Sequence, residues 1–274
     1  MKNVILFGYG KMGSSIARGW MLKKLNFNIF IIEKQASLRK IANKDGFKVY
    51  ENIERLNETN NSNIFNIIFL AVKPQQMEET VKSFLKFNLH KAVLVSIAAG
   101  LSFSWFKNKI NNEIKIVRAM PNLPASIGFG LTGYCKGKNL SEEEDKDVNT
   151  LLSAFSKVIY LNNESLIDNI TAISGSGPGY IFYLVEVLTQ IAVDHGLSVK
   201  DAKTIARETL VGSTRLIETS NIDPKTLKKN VSSPGGTTEA GLLVLESKKN
   251  GLYPLLKSTI NNAIKRAKKL NSDG

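Results

Sequence analysis

Residues 2–13 read Lys-Asn-Val-Ile-Leu-Phe-Gly-Tyr-Gly-Lys-Met-Gly, and this stretch decides the fold. Val4, Ile5, Leu6 and Phe7 form a continuous apolar run, as a strand buried on both faces should. The next six residues place Gly8, Gly10 and Gly13 in a G-x-G-x-x-G pattern. In such a turn the first glycine permits the tight bend and the second lets the backbone approach a pyrophosphate. The third lets the following helix pack close to the strand, with the diphosphate at the helix N-terminus. Residues 11–24 then show helical spacing at Met12, Ile16 and Trp20. A second strand over 28–32 ends at Glu33, where a carboxylate would meet a ribose hydroxyl. The expected ligand is a dinucleotide. Glu33 repels a 2′-phosphate and favours NAD(H), whereas Lys34 and Arg39 beside it favour NADP(H), so the sequence leaves that choice open.

Outward from this unit, strand and helix patterns alternate. Strands are expected over 47–50, 64–72, 93–98 and 113–119, and helices over 35–43 and 75–87. This rhythm predicts an α/β domain, a Rossmann-type doubly wound, mostly parallel sheet. From about residue 162 the texture becomes helical, with helices expected over 165–174, 179–195, 199–219, 239–247 and 253–270. The expected division is residues 1–161 for dinucleotide binding and 162–274 for an all-helical second domain. The helix over 179–195 carries a wide apolar face of Ile181, Leu184, Val185, Leu188, Ile191 and Ala192. Ala202, Ala206 and Gly212 on the next helix would let another helix approach closely, including one from a second subunit.

Composition narrows the class. With 43% hydrophobic and 22% charged residues, the chain is too apolar for disorder. No apolar run is long enough to span a membrane, and glycines interrupt the N-terminal run before a secretory signal can form. The single cysteine, Cys135, provides neither a disulfide nor a cysteine-based zinc site, so no metal and a cytoplasmic location are expected. The net charge of +13 invites a nucleic-acid reading, but only seven of the 37 basic residues are Arg and the rest are spread along the chain. Base readout relies on forked Arg donors and a concentrated stripe. No nucleic-acid partner is expected.

Several further clusters carry chemistry. Ala71-Val72-Lys73-Pro74 and Ser96-Ile97-Ala98-Ala99-Gly100 each follow a strand, at the sheet edge where ligands of open parallel sheets bind. Lys73 can hold a phosphate or merely cap its strand, and the small residues Ala98, Ala99 and Gly100 would admit a flat nicotinamide ring. Arg118-Ala119-Met120-Pro121-Asn122-Leu123-Pro124 is too rigid for a casual loop. Ser174-Gly175-Ser176-Gly177-Pro178-Gly179-Tyr180 opens the long helix. Val231-Ser232-Ser233-Pro234-Gly235-Gly236-Thr237-Thr238 places free amides and hydroxyls at a helix start, a receptacle for a small carboxylate.

In this order and spacing, these clusters resemble the pyrroline-5-carboxylate reductase family over nearly the whole chain. The resemblance implies a Rossmann domain followed by a helical dimerisation domain, with homodimers sometimes assembled into rings. It implies NAD(P)H as hydride donor and 1-pyrroline-5-carboxylate as substrate, reduced to L-proline. By matching position, Phe7, Gly8, Tyr9, Gly10, Lys11 and Met12 would contact the cofactor, as would Asn52, Ala71, Val72, Lys73, Pro74, Ala98, Ala99 and Gly100. Ser233, Gly236, Thr237 and Thr238 would contact substrate, reached from the partner subunit. Gly179 stands where the family usually has alanine, and Glu33 is not the usual residue of NADP-preferring members.

Such chemistry suits this inventory. The ring nitrogen of the imine is basic enough to arrive partly protonated, so positioning outweighs general acid catalysis. The two histidines, His90 and His195, are expected to be solvated or structural, and the Thr238 hydroxyl is the candidate to hydrogen-bond the nitrogen or relay a proton. A 3-hydroxyacid dehydrogenase of similar build is the alternative enzyme, but its catalytic lysine would fall in residues 174–190, which contain none. A non-catalytic NAD(P)-sensing protein would need no acid-binding loop at 232–238.

Overall fold

A computed structural model describes residues 1–59, 65–85, 92–111 and 113–272. His90 and the expected element ends at Ile64 and Phe87 lie outside them.

Among the described residues, eight strands form one sheet: β1 (Lys2–Phe7), β2 (Phe27–Ile32), β3 (Lys48–Tyr50), β4 (Ile67–Leu70), β5 (Val93–Ser96), β6 (Ile116–Met120), β7 (Gly130–Lys136) and β8 (Ser156–Tyr160). Their order is β3-β2-β1-β4-β5-β6-β7-β8. The first six strands in this order are parallel, β7 runs antiparallel to β6, and β8 runs parallel to β7. The helices are α1 (Lys11–Leu22), α2 (Ala36–Lys44), α3 (Ile53–Thr59), α4 (Met77–Leu85), α5 (Phe103–Lys109), α6 (Glu142–Ser153), α7 (Leu166–Ile170), α8 (Gly177–Asp194), α9 (Val199–Ser220), α10 (Pro224–Asn230), α11 (Thr237–Leu245) and α12 (Leu252–Ser272). The architecture is therefore an N-terminal Rossmann-type sheet followed by a helical region.

The sequence of β1 explains why the sheet is covered on both sides. Val4 and Leu6 enter one hydrophobic core, while Ile5 and Phe7 enter another, and all four are buried. Alternate side chains point to opposite faces, so an uninterrupted apolar run needs helices on both. On the first face Trp20 fastens α1. Its ring meets Phe69 edge-on at 4.9 Å, and its Nε1–H donates to the Leu151 carbonyl of α6 across 2.8 Å. Replacing such a buried Trp with Ala costs roughly 3–5 kcal/mol.

The chain forms two compact units, one of Met1–Ser176 with the last residues from Ala263 onward, and one of Gly177–Asn262. The first thus extends past the boundary expected near Leu161. The reason is apolar: Ile167 of α7 is buried with Met120, Cys135 and Leu161, and Ile170 packs against that cluster. A π-helical turn, Thr171–Gly175, follows α7 directly.

In the second unit α8 runs through Gly179 without interruption. Ala202 and Ala206 of α9 are buried within the chain itself, where α8 and α9 pack together. These two alanines serve internal packing, while Gly212 has open space where a Cβ would stand. The apolar face of α8 stays uncovered: no residue of that helix is buried, and Ile181, Leu184, Leu188 and Ile191 are each more than a third exposed. No helix among the described residues is long and apolar enough to cross a membrane.

Candidate active site

The order β3-β2-β1-β4 reverses the direction of winding between β1 and β4, which creates a crevice beyond their carboxyl ends. The glycine turn sits there. Gly8 adopts φ +95°, and a Cβ on it would lie 2.9 Å from the Ala71 carbonyl oxygen. A Cβ on Gly13 would lie 2.1 Å from the Gly8 carbonyl oxygen, so α1 approaches the turn as only glycine allows. At Gly10, by contrast, a Cβ would meet nothing within 4 Å. Protein packing accounts for the outer glycines, and the space over the middle one is left for a ligand.

Helix capping points the same way. α6 begins with a capping box between Ser141 and Glu144, and Ser198 caps α9. α1 begins on Gly10 with no side-chain cap and no acidic residue in its first turn. Its first amides have no intrahelical acceptor, and the positive end of the helix dipole faces the turn. That is the environment a diphosphate requires, so the residues present fit a dinucleotide.

A cleft of about 180 Å³ opens at this place. Of the residues expected to contact the cofactor, Phe7, Gly8, Gly10, Glu33, Asn52, Ala71, Val72 and Lys73 line it. Asn52 also accepts the Arg55 N–H across 2.9 Å and so fixes the start of α3. Glu33 is held from both sides. Its Oε2 accepts the Tyr9 N–H across 2.7 Å, and its Oε1 accepts the Gln35 N–H across 2.8 Å.

The other expected contacts lie outside the cleft lining. The Tyr9 ring is buried beside Phe47, its hydroxyl donates to Asp45 and its N–H to Glu33, so side chain and amide are both spent within the protein. Met12 packs against the core, Lys11 is exposed, and Pro74 begins a short 3₁₀ turn. Ala98, Ala99 and Gly100 follow β5, the neighbour of β4, and so stand at the same sheet edge. Ala98 is buried, and a Cβ on Gly100 would lie 2.8 Å from Leu270 Cβ. The structure gives Gly100 a packing reason of its own, independent of any nicotinamide.

The rigid segment at 118–124 proves to be a junction. Arg118 of β6 is almost fully buried, and its NH1 donates to Glu164 Oε1 across 2.7 Å. The same carboxylate oxygen accepts the Phe103 N–H across 2.7 Å, joining the segment after β5, β6 and the approach to α7. Among the described residues, the buried Arg118 NH2 has no hydrogen-bond partner. Asn122 accepts the Leu131 N–H and donates to Ser174 Oγ in the π turn. Sequence had marked the stiffness of this segment but not Glu164, which no local pattern announces. Cys135, paired with Arg118 across β6 and β7, has its thiol pushed up to about 12 by burial and stays protonated near neutral pH.

The loop at 232–238 is also specifically built. Gly235 has φ +69°, and the Gly236 N–H donates to the Ser233 carbonyl across 2.9 Å. Gly236 then caps α11, whose first two residues are Thr237 and Thr238. Glu239 accepts the Gly235 N–H across 2.7 Å, a use of that amide that the sequence reading did not foresee. His195 follows α8 directly, on the surface.

A Rossmann sheet whose switch-point cleft opens over an uncapped glycine turn gives the chain the architecture of a dinucleotide-binding protein. Over 97% of its length it is 32% identical to the pyrroline-5-carboxylate reductase of Aquifex aeolicus, covering 96% of that protein. The chain belongs to the pyrroline-5-carboxylate reductase family. Residues 164–270 match the family model for pyrroline-5-carboxylate reductase dimerisation, and residues 3–100 match that for NADP oxidoreductase, coenzyme F420-dependent. A reductase of Bacillus subtilis is 33% identical over 76% of this chain and 69% of its own. Among solved structures, the Coxiella burnetii pyrroline-5-carboxylate reductase superposes with a TM-score of 0.88 at 28% identity, covering 98% of both chains. The Plasmodium falciparum pyrroline carboxylate reductase with NADP bound gives 0.80 at 28% identity, again over 98% of both.

Proposed function

We propose that this chain reduces 1-pyrroline-5-carboxylate to L-proline with NADH or NADPH, the last step of proline synthesis. The observation that carries this reading is the end-to-end relationship to the Aquifex aeolicus reductase, which takes in both the glycine turn and the loop at 232–238. In this reading residues 1–161 hold the cofactor, and residues 162–274 dimerise and bind substrate. The protein works in the cytoplasm as a homodimer, or a ring of dimers, with no nucleic acid or membrane partner. The uncovered face of α8 supports the dimer, since single subunits rarely leave so much apolar surface in water.

When bound, the reduced nicotinamide supplies the hydride that the imine carbon receives. The glycine turn and the α1 amides hold the diphosphate, with Lys73 as an exposed cation at the cleft wall. Tyr9, Lys11, Met12 and Pro74 flank the cofactor's diphosphate end, and Ala98, Ala99 and Gly100 stand at the same sheet edge. Ser233 and Thr237 receive the substrate carboxylate at the start of α11, where Gly236 closes the turn that presents them, contributed by the partner subunit. Thr238 offers its hydroxyl to the ring nitrogen. Because that nitrogen is basic enough to carry its own proton part of the time, alignment supplies most of the rate.

Steady-state oxidation of NADH and NADPH, followed with and without 1-pyrroline-5-carboxylate, tests the reading. The expected result is oxidation that saturates with the imine and is absent without it. Folded protein inactive with both cofactors would refute the proposal.

A further inference from the structure

We propose that this chain selects NADH over NADPH and that Glu33 makes the selection; the inference rests on the cofactor reading above. Glu33 lines the cleft at the end of β2 and is 9% exposed. Two backbone amides grip its carboxylate, one per oxygen, at 2.7 and 2.8 Å. A surface glutamate could swing away from an incoming anion. This one is fastened to the turn at Tyr9 and to Gln35, so its charge stays in the cleft wall.

The cations nearby do not offset it. Arg39 donates through NH1 to the carbonyl oxygens of Glu33 and Lys34, and its NH2 lies 3.7 Å from Glu51 Oε2. Its guanidinium is spent on the loop that presents Glu33. Glu51 itself lines the cleft and adds a second carboxylate on the same side. Lys34 also lines the cleft, and its ammonium is already met by the Glu79 carboxylate at 2.6 Å. Lys73 lines the cleft from the end of β4, beside Ala71 and the glycine turn, where it serves the diphosphate common to both dinucleotides.

A 2′-hydroxyl can donate to a fixed carboxylate. A 2′-phosphate carries close to two negative charges and offers it no proton at neutral pH. Bringing that group against Glu33, with Glu51 on the same wall, sets like charges together in a partly closed cleft, where repulsion is weakly screened.

Equilibrium titration of the full chain with NADH and with NADPH, read by nicotinamide fluorescence, tests this without reference to turnover. NADH is expected to bind at least about tenfold tighter, the scale of one unfavourable charge contact. Equal binding, or tighter binding of NADPH, overturns the proposal. Binding of neither dinucleotide overturns instead the cofactor reading on which it rests. Glu33→Gln removes the charge yet keeps an oxygen for one of the two amides, and it should narrow the gap by about tenfold, chiefly through gained NADPH affinity. A folded Glu33→Gln protein with an unchanged gap overturns the assignment to Glu33.

Discussion

The Tyr9 hydroxyl donates to Asp45 Oδ2 across 2.6 Å, fastening the dinucleotide turn to the C-terminal end of α2. Arg18 of α1 reaches the same oxygen through Nε at 2.9 Å and NH2 at 2.8 Å. Turn, helix and helix thus meet at one carboxylate. Burial and the Asp45 hydrogen bond push the Tyr9 phenol well above its ordinary range, so it remains a donor across all working pH values.

Tyr9→Phe keeps the ring and its packing on Phe47 but removes this donor. It should lower stability by about 1 kcal/mol, because Asp45 is partly exposed and retains Arg18. Urea midpoints of the two proteins check this. An unchanged midpoint would mean that the hydroxyl contributes nothing to the junction.

Asp45 gives the acid limb of stability its shape. The Tyr9 hydrogen bond, followed by the Arg18 contacts, holds its carboxyl below the usual carboxylate range in the folded state. Its contribution is therefore complete above the unfolded value, near about 3.9, and is lost as pH falls through the lower folded value. The stability difference between the natural chain and Asp45→Asn should be constant near neutrality and shrink below about pH 4. Denaturation curves from pH 3 to pH 7 read it directly, and a difference independent of pH would contradict the assignment.

Association is the next expectation. Phe182, Tyr183, Leu243 and Val244 are each more than half exposed in the single chain, along with much of the apolar face of α8. Light scattering at micromolar concentration should give at least twice the chain mass. A monomer would show that this face is not an interface.

Thr238→Ala should leave the fold and the dinucleotide affinity unchanged, because Thr238 stands at the start of α11 and does not line the cleft beside the glycine turn. It should lower kcat/KM for the imine by about ten- to a hundredfold, or about 1.5–3 kcal/mol, the value of one hydrogen bond to a partly charged group. Wild-type kinetics would show that the hydroxyl does not reach the nitrogen. Complete inactivity in a folded, dinucleotide-binding variant would make Thr238 an obligatory proton donor.

What the sequence made legible was whatever a local pattern can encode. β1, the glycine turn and α1 were readable because an apolar run, spaced glycines and a helical period adjoin one another. Glu33 was readable by its place at the end of β2, but its grip on two amides was not, since that depends on how the turn folds back. β7 was hidden by Gly130 and Gly133, which depress strand propensity. Their reason is tertiary: a Cβ on Gly130 would lie 2.7 Å from Ala125 Cα, and one on Gly133 would lie 2.9 Å from Ile170. α3 and α5, each of seven residues, are too short to establish a period. α6 carried a usable signal in the spacing of Ser141 and Glu144. The boundary expected near Leu161 followed a change of texture, whereas the first compact unit runs on to Ser176 because Ile167 packs with Met120 and Cys135.

The most direct test of the central claim follows the hydride itself. The chain is incubated with 1-pyrroline-5-carboxylate and NADH or NADPH deuterated at the reactive carbon of the nicotinamide, and the product is examined by mass spectrometry and NMR. The account predicts L-proline bearing a single deuterium on the former imine carbon. Absence of proline, or proline without deuterium from either stereoisomer of the labelled cofactor, would contradict it.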